Sequence, residues 1–238
     1  MIMETERIQY SIRDSKLFFL EEDCVELFGA KAGKEIFARM ENRYNELCGN
    51  ADFKGSEAIR YHLTMNLYPT MAYYQVLREY GFEQEDALTY VRKETSRAAN
   101  IKKAEQTKTA RMPFAFLIYR LLVKPVMKKN FPKEGWDTIW VRCDGREIHF
   151  DMTHCIYKDV CDAEGCPELC SVFCENDDIA FSGLMPKPCL KHTAIMWILL
   201  ILMHWKRQFH NYYEKTLDSS LRSCFNFAPA SKNIVRNG

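Results

Sequence analysis

Residues 136–153, WDTIWVRCDGREIHFDMT, decide the fold class of this chain. They contain two short β-like runs, WDTIWVRC and REIHFDMT, and in the second run Ile148, Phe150 and Met152 alternate with polar residues. Such alternation is typical of a half-buried strand. Asp144-Gly145 lies between the runs, and this pair favours the tight turn of a hairpin. The stretch therefore predicts an antiparallel β-hairpin.

The sequence before this hairpin has helical periodicity. Within 32–48, apolar residues recur at helical spacing with charged residues between them, which predicts an amphipathic helix. The polar stretch 101–109, IKKAEQTKT, is predicted to be a linker. A helical N-terminal half followed by a small antiparallel sheet predicts an α+β fold. Further helices are predicted at 57–80 with an interruption near Pro69, at 82–96 and at 111–131.

Composition limits the function. Apolar residues make up 47% of the chain and the net charge is +1, so the chain can bury a core and lacks the basic excess of a nucleic-acid-binding protein. The N-terminus, MIMETERIQYSIRDSK, has no apolar signal segment, and the longest apolar run, 194–203, is shorter than the about twenty residues of a membrane span. We therefore expect a cytoplasmic protein with neither nucleic acid nor membrane as a partner.

A cysteine-rich stretch, 161–178, could carry chemistry. It reads CDAEGCPELCSVFCENDD. Disulfides are the weakest interpretation, because cytosolic thiols are kept reduced. The spacing matches neither the paired knuckles of a zinc ribbon nor the common iron–sulfur motifs. We therefore expect reduced thiols, no metal and no cofactor.

Pro167 is well placed to begin a short helix over 167–175. On that helix Cys170 and Cys174 are four residues apart, and Asp177 follows one turn later. The three residues share one face. Such a face can be the edge of the core, a catalytic face or a soft-metal site, and spacing alone leaves these alternatives open.

The order of several motifs resembles the L-2-amino-thiazoline-4-carboxylic acid hydrolase family over about residues 30–193. The resemblance begins in GKEIFARMENRYNELC and continues through MAYYQVLREYGFEQEDALTYVRKE to the hairpin and the cysteine-rich stretch. It includes a tryptophan before a strand, which is Trp136 or Trp140, and Cys155 at the end of the next strand. A G-x-P-E-L element, Gly165-Cys166-Pro167-Glu168-Leu169, and a C-x-x-D signature, Cys174 with Asp177, follow.

The resemblance implies an enzyme, a hydrolase that acts on the non-peptide C–N bonds of a cyclic amidine. In that reaction water adds to C2 of 2-amino-thiazoline-4-carboxylate and the ring opens to a carbamoyl-cysteine. The chemistry needs a nucleophile, a general acid and a group that holds the substrate carboxylate. The expected catalytic residues are Cys174, Asp177 and Cys155. The expected substrate-binding residues, which would contact this small molecule, are His192, Thr193 and Trp140.

The C-terminal segment departs from the family pattern. An R-T-x-T-L element is replaced by Lys191-His192-Thr193-Ala194-Ile195, and Cys224-Phe225-Asn226-Phe227 is the nearest equivalent of a terminal C-D-F. The alternative function is therefore an impaired relative that binds a small ligand or a partner, and a thiol-rich metal-binding protein is a third. We predict an extension at 1–29, a hydrolase-like domain at 30–193 and a divergent segment at 194–238. The apolar stretch 194–205 is expected to form a buried helix or strand, and the second interpretation is an exposed surface that provides a homo-oligomer interface.

Overall fold

The computed structural model of the chain describes residues 9–184 and, for 189–194, the course of the backbone. These residues up to Thr193 belong to one compact unit, Met1–Thr193. The α-helices of this part are α1 (Leu20–Phe28), α2 (Ala30–Gly49), α3 (Glu57–His62), α4 (Tyr68–Glu79), α5 (Gln84–Ala110), α6 (Ala115–Asn130), α7 (Ile156–Ala163) and α8 (Cys170–Phe181). The strands are β1 (Trp136–Cys143), β2 (Glu147–Cys155) and β3 (Cys189–Ala194).

The strands form one sheet in the order β1-β2-β3. β1 and β2 are antiparallel, and Trp136 lies opposite Cys155 at one end of their ladder. The loop between them is held by Asp144, whose Oδ1 accepts hydrogen bonds from the backbone N–H groups of Arg146 and Glu147. The predicted hairpin and the α+β class are confirmed. The short helix predicted at 167–175 also forms, as a 3-10 turn at Pro167–Leu169 that leads into α8.

The main core lies among the helices. α1 packs on α2, α2 on α4, and α5 on α8. The N-terminal turn of α2 comes so close to α1 that a Cβ at Gly33 would lie 2.3 Å from the carbonyl oxygen of Cys24. A smaller second cluster joins α6 to the sheet through Val123, Ile148 and Phe150.

A π-helical segment, Leu63–Leu67, joins α3 to α4. The helix predicted at 57–80 is therefore continuous, and its irregularity precedes Pro69, which sits in the first turn of α4. Proline is accepted there because the first turn of a helix leaves its N–H groups without helical partners. Single π-helical turns within α-helices are frequent at functional sites.

The predicted linker at 101–109 is wrong, because α5 continues through it to Ala110. The stretch contains neither glycine nor proline, and lysine, glutamate, glutamine and alanine all favour helix. An ion pair of 2.9 Å between Lys102 and Glu105, one turn apart, adds to this preference. Polar composition alone therefore misidentified an exposed helix as a linker.

One carboxyl group lies inside the helical part. Glu94 on α5 is only 1% exposed, and burial is the main cause that raises its pKa, with Asp23 of α1 adding to the effect. The Nζ of Lys93 is 3.2 Å from the Oε1 of Glu94, but that oxygen has no hydrogen bond of good geometry. The hydroxyl of Tyr73 is also buried without a partner in the described part.

No helix in the described part of the chain is long and apolar enough to cross a bilayer. The segment 194–205, with its predicted oligomer interface, lies outside the described residues except for the backbone of Ala194. The division into an extension at 1–29, a domain at 30–193 and a divergent segment stays a prediction.

Candidate functional site

Cys155 lies where β2 ends and α7 begins. The Cys155 side chain makes no capping hydrogen bond to α7. Three N–H groups nevertheless lower the pKa of its thiol. They are the backbone N–H groups of Tyr157 and Lys158 in the first turn of α7, and the indole N–H of Trp136. Burial acts in the opposite direction and is the largest cause, so the pKa of Cys155 is raised overall. The N–H groups therefore compensate part of the cost of forming a thiolate here.

Cys174 and Asp177 of α8 lie on the same side of the molecule as Cys155. The negative charge of Asp177 contributes to raising the pKa of both thiols. Cys174 is half-buried, and burial is the main cause that raises its pKa, with Cys170, Asp177 and Cys155 adding to it. No group acts to lower the pKa of Cys174. The charge of Asp177 thus acts on both thiols, and of the two only Cys155 has groups that favour its thiolate.

A polar network surrounds the hydroxyl of Tyr157, two residues after Cys155. The hydroxyl of Tyr157 is 3.0 Å from the Nδ1 of His62 and 3.3 Å from the Nδ2 of Asn66. Burial lowers the pKa of His62 to about 4, and nearby Lys16 adds to this, while a hydrogen bond to the backbone of Asn130 acts in the opposite direction. His62 is therefore neutral at pH 7, and its Nδ1 can accept a hydrogen bond from Tyr157.

Aromatic rings hold this network in place. The ring of His62 is 4.9 Å from that of Phe131 and 4.8 Å from that of Trp136, and Tyr157 is 4.9 Å from Phe173 of α8. Because Trp136 is only 3% exposed, its indole cannot readily turn away from Cys155. The packing of the core thus fixes the group that faces the thiol.

Three other cysteines of the cluster belong to the core. Cys161, Cys166 and Cys170 are all buried. A hydrogen bond that the Cys161 thiol donates to Cys166 is the first cause, and burial the second, of the raised pKa of Cys161. Burial raises the pKa of Cys170 to about 12. Thiols with such pKa values are poor nucleophiles at neutral pH.

All eight cysteines between residues 9 and 184 are unpaired. Histidine, cysteine and acidic side chains nowhere form a group of three suited to a metal ion in that part of the chain. The expectation that the protein needs no metal stays a prediction.

The predicted substrate-binding residues are not gathered at Cys155. Trp140 packs in the second cluster. Its ring centre is 5.2 Å from the ring centre of Phe150 and 5.1 Å from the Nζ of Lys124. Trp136 is the tryptophan that faces the thiol. His192 and Thr193 lie on β3, where the structure describes the backbone only. Their roles and that of Trp140 stay predictions.

Sequence patterns did not identify His62 or Tyr157. Tyr157 could have been found, because a helix that begins directly after Cys155 brings its first N–H groups and side chains to the thiol. His62 carries no local signal, since it reaches the site only through tertiary packing.

More than half of the chain matches a known protein family. The family model described as L-2-amino-thiazoline-4-carboxylic acid hydrolase matches residues 58–196. The matched range contains Cys155, Cys174, Asp177 and His62. No curated protein and no solved structure matches the chain.

Proposed function

This chain belongs to the L-2-amino-thiazoline-4-carboxylic acid hydrolase family, and from that membership we propose that it is a hydrolase. Its substrate is a cyclic amidine of the 2-amino-thiazoline-4-carboxylate type, and its product is a carbamoyl-cysteine. The observation that carries this proposal is the set of N–H groups around Cys155, one from Trp136 and two from the first turn of α7.

Cys155 is the proposed nucleophile. A thiol attacks through its thiolate, and among Cys155, Cys170 and Cys174 only Cys155 has N–H groups directed at its sulfur. The start of a helix also favours negative charge. Cys174 on α8 is the second thiol of the proposed site.

Asp177 is the proposed acid and base. The Cys155 sulfur bonds to C2 of the ring while its proton passes to Asp177. The C2–S bond then breaks and the ring sulfur takes that proton, which leaves the opened amidine attached to Cys155. A water oxygen next bonds to C2, one of its protons passes to the doubly bonded nitrogen of the amidine and the other passes through Asp177 to the Cys155 sulfur, and the C2–Cys155 bond breaks as the carbonyl forms. The product is N-carbamoyl-cysteine, so this route breaks a C–S bond of the ring rather than a C–N bond.

The chemistry suits a reducing compartment such as the cytoplasm. A cysteine nucleophile acts only while its thiol is reduced, and cytosolic thiols are kept reduced. The only partner that the reaction requires is the small-molecule substrate.

Turnover of L-2-amino-thiazoline-4-carboxylate by the purified protein tests the proposal, with N-carbamoyl-cysteine measured by mass spectrometry. We expect Cys155→Ala to lower kcat at least about a hundredfold, as loss of a nucleophile does. Cys170→Ala is the matched control, because Cys170 is a buried core thiol, and it should keep most of the activity. A trapped adduct on Cys155, heavier than the protein by the mass of the substrate, would support the covalent route.

Cys174 distinguishes two versions of the site. If it takes part in the chemistry, Cys174→Ala should also lower turnover far more than Cys170→Ala. Equal activity of these two variants would make Cys174 a packing residue and leave Cys155 as the nucleophile.

The departure of the C-terminal segment from the family pattern favours a second candidate, a small-ligand-binding relative without turnover. Saturable binding of the thiazoline by the wild-type protein, with no product formed, would support it. Replacing the chain after Lys191 with a segment that carries the R-T-x-T-L and C-D-F elements would separate the two cases. Activity gained by that replacement would identify the native segment as defective.

A further inference from the structure

Helix α6 has an apolar side that faces solvent. Its inner side packs on the sheet through Val123 and the partly buried residues around it. On the outer side, Phe114 directly before the helix is 77% exposed and Leu121 is 64% exposed. Further exposed apolar residues of this side are Leu117, Ile118, Leu122 and Val126. We call the outer residues from Phe114 to Val126 the α6 face.

The residues of the α6 face lie together on the helix. Leu117, Ile118, Leu121 and Leu122 recur at intervals of three and four residues, which places them side by side on one side of a helix. Single exposed apolar residues are common on protein surfaces. A contiguous apolar surface is not, and it marks a site of contact with a protein or a membrane.

Cations flank the α6 face, and acidic residues are missing from its stretch of sequence. Residues 111–133 contain neither aspartate nor glutamate. The cations of this stretch are Arg111, Arg120, Lys124, Lys128, Lys129 and Lys133, and all of them except Arg120 are exposed. Because the net charge of the whole chain is only +1, this positive charge is a local concentration around one helix.

Charge and apolarity together distinguish among three kinds of partner. A second copy of the chain would bring two helices of the same positive sign together, which is unfavourable. A nucleic acid would offer phosphates to the cations but little to cover the leucines. The surface of a bilayer that contains acidic lipids offers both, because its headgroups attract lysine and its acyl chains accept leucine and phenylalanine.

We propose that the α6 face binds the surface of membranes that contain anionic lipid. The helix has 16 residues, so it is about 24 Å long, and it lies along the bilayer surface with its leucines at the boundary of headgroups and acyl chains. The expectation that the protein has no membrane partner rested on the length of its apolar runs. That length limits crossing of a bilayer and leaves binding at the surface open. The proposal does not depend on Cys155 or on the proposed hydrolase activity.

Co-sedimentation of the full-length protein with vesicles tests the proposal. One set of vesicles contains phosphatidylglycerol and phosphatidylcholine in equal parts, and the other contains phosphatidylcholine alone. Leu121→Glu disrupts the apolar contact, and the double variant Lys128→Glu/Lys129→Glu reverses charge at the end of α6.

Each test variant has a matched control. Ile139→Glu is the control for Leu121→Glu, because Ile139 is an apolar residue of β1 that is 53% exposed. It follows the opposite face of the strand from Trp140, which packs with α6 in the second cluster. Lys31→Glu/Lys34→Glu on α2 is the control for the lysine pair, since it changes the net charge equally at two exposed lysines.

We expect the wild type to bind the anionic vesicles at least about tenfold more tightly than the neutral ones, and high salt to weaken this binding. Leu121→Glu and Lys128→Glu/Lys129→Glu should each weaken it at least about tenfold, and both controls should bind as the wild type does. All four variants should keep the circular dichroism spectrum of the wild type, because every changed residue is exposed. If Leu121→Glu loses its fold, the lysine pair decides the outcome alone.

Several results would overturn the proposal. They are the absence of vesicle binding by the wild type, equal binding to both kinds of vesicle, and unchanged binding by a folded α6 variant. A wild-type dimer in light scattering that Leu121→Glu converts to a monomer, without vesicle binding, would overturn it in favour of a second copy. Binding of a DNA or RNA oligonucleotide instead of vesicles, lost in the lysine pair and kept in Leu121→Glu, would overturn it in favour of a nucleic acid.

Discussion

Trp136 and Cys155 lie opposite each other in the ladder of β1 and β2, and the indole of Trp136 lowers the pKa of the Cys155 thiol. Residues directly opposite each other in an antiparallel ladder project to the same face of the sheet, so the hairpin itself places the donor beside the thiol. The hairpin that defines the fold class therefore also builds part of the candidate site.

Replacing Trp136 by phenylalanine should raise the pKa of Cys155. The indole lowers this pKa against the effect of burial, and loss of a hydrogen bond to a charged group corresponds to about one pH unit. The measurement is the pH dependence of iodoacetamide alkylation at Cys155, which should move to higher pH. Trp140→Phe in the second cluster is the control and should leave the profile in place. Identical profiles for the two variants would mean that the indole does not act on the thiol.

Protonation of His62 should weaken the fold in acid. Its pKa is about 4 in the folded state and about 6.5 in the unfolded chain. The unfolded state therefore takes up the proton first as pH falls, and the free energy of unfolding should decrease by up to about 3 kcal/mol between roughly pH 6.5 and 4. Urea denaturation across this range measures the effect. His62→Gln should flatten the dependence, and an unchanged slope in this variant would mean that another group causes the loss of stability.

Glu94 should have the opposite effect. Burial raises its pKa in the folded state, so the folded state keeps a proton that the unfolded chain releases. The stability contributed by this proton is present at low pH and decreases as pH rises above the unfolded value. Glu94→Gln mimics the protonated form, and its melting temperature at pH 8 should equal or exceed that of the wild type. A variant that melts well below the wild type at pH 8 would mean that Glu94 is ionised and needed as an anion.

The close contact between α1 and α2 predicts a difference between two glycines. A Cβ at Gly33 would overlap the carbonyl of Cys24, whereas one at Gly49 would meet no atom within 4 Å. Gly33→Ala should destabilise the protein by about 3 kcal/mol or more because two backbones must separate. Gly49→Ala at the end of the same helix should be neutral or stabilise by about 0.5–1 kcal/mol. Urea denaturation of both variants measures the difference, and equal stabilities would show that α1 can move.

Local patterns predicted most of the fold. Alternation at Ile148, Phe150 and Met152, and the helix-opening position of Pro167, were sufficient for the hairpin and for the helix that carries Cys174. The linker at 101–109 failed because polar residues with high helix propensity form an exposed helix as readily as a coil. Strand β3 was not predicted.

The site was only partly predictable. Cys155, Cys174 and Asp177 could be named because they belong to ordered motifs. His62 could not, since its low pKa comes from burial and from Lys16, a residue far earlier in the chain. Either Trp136 or Trp140 could be the tryptophan of the family pattern. Only the register of β1 on β2 shows that Trp136 lies opposite Cys155, whereas Trp140 lies opposite Phe150.

The π-helical segment Leu63–Leu67 makes the site sensitive to chain length as well as to residue identity. Each residue of an α-helix turns the chain by about 100°, so deleting one residue here would give a regular helix through α3 and α4 and rotate His62 away from Tyr157. The core residues of α4 would keep their places. The extra residue of this segment thus sets the angle at which His62 meets Tyr157.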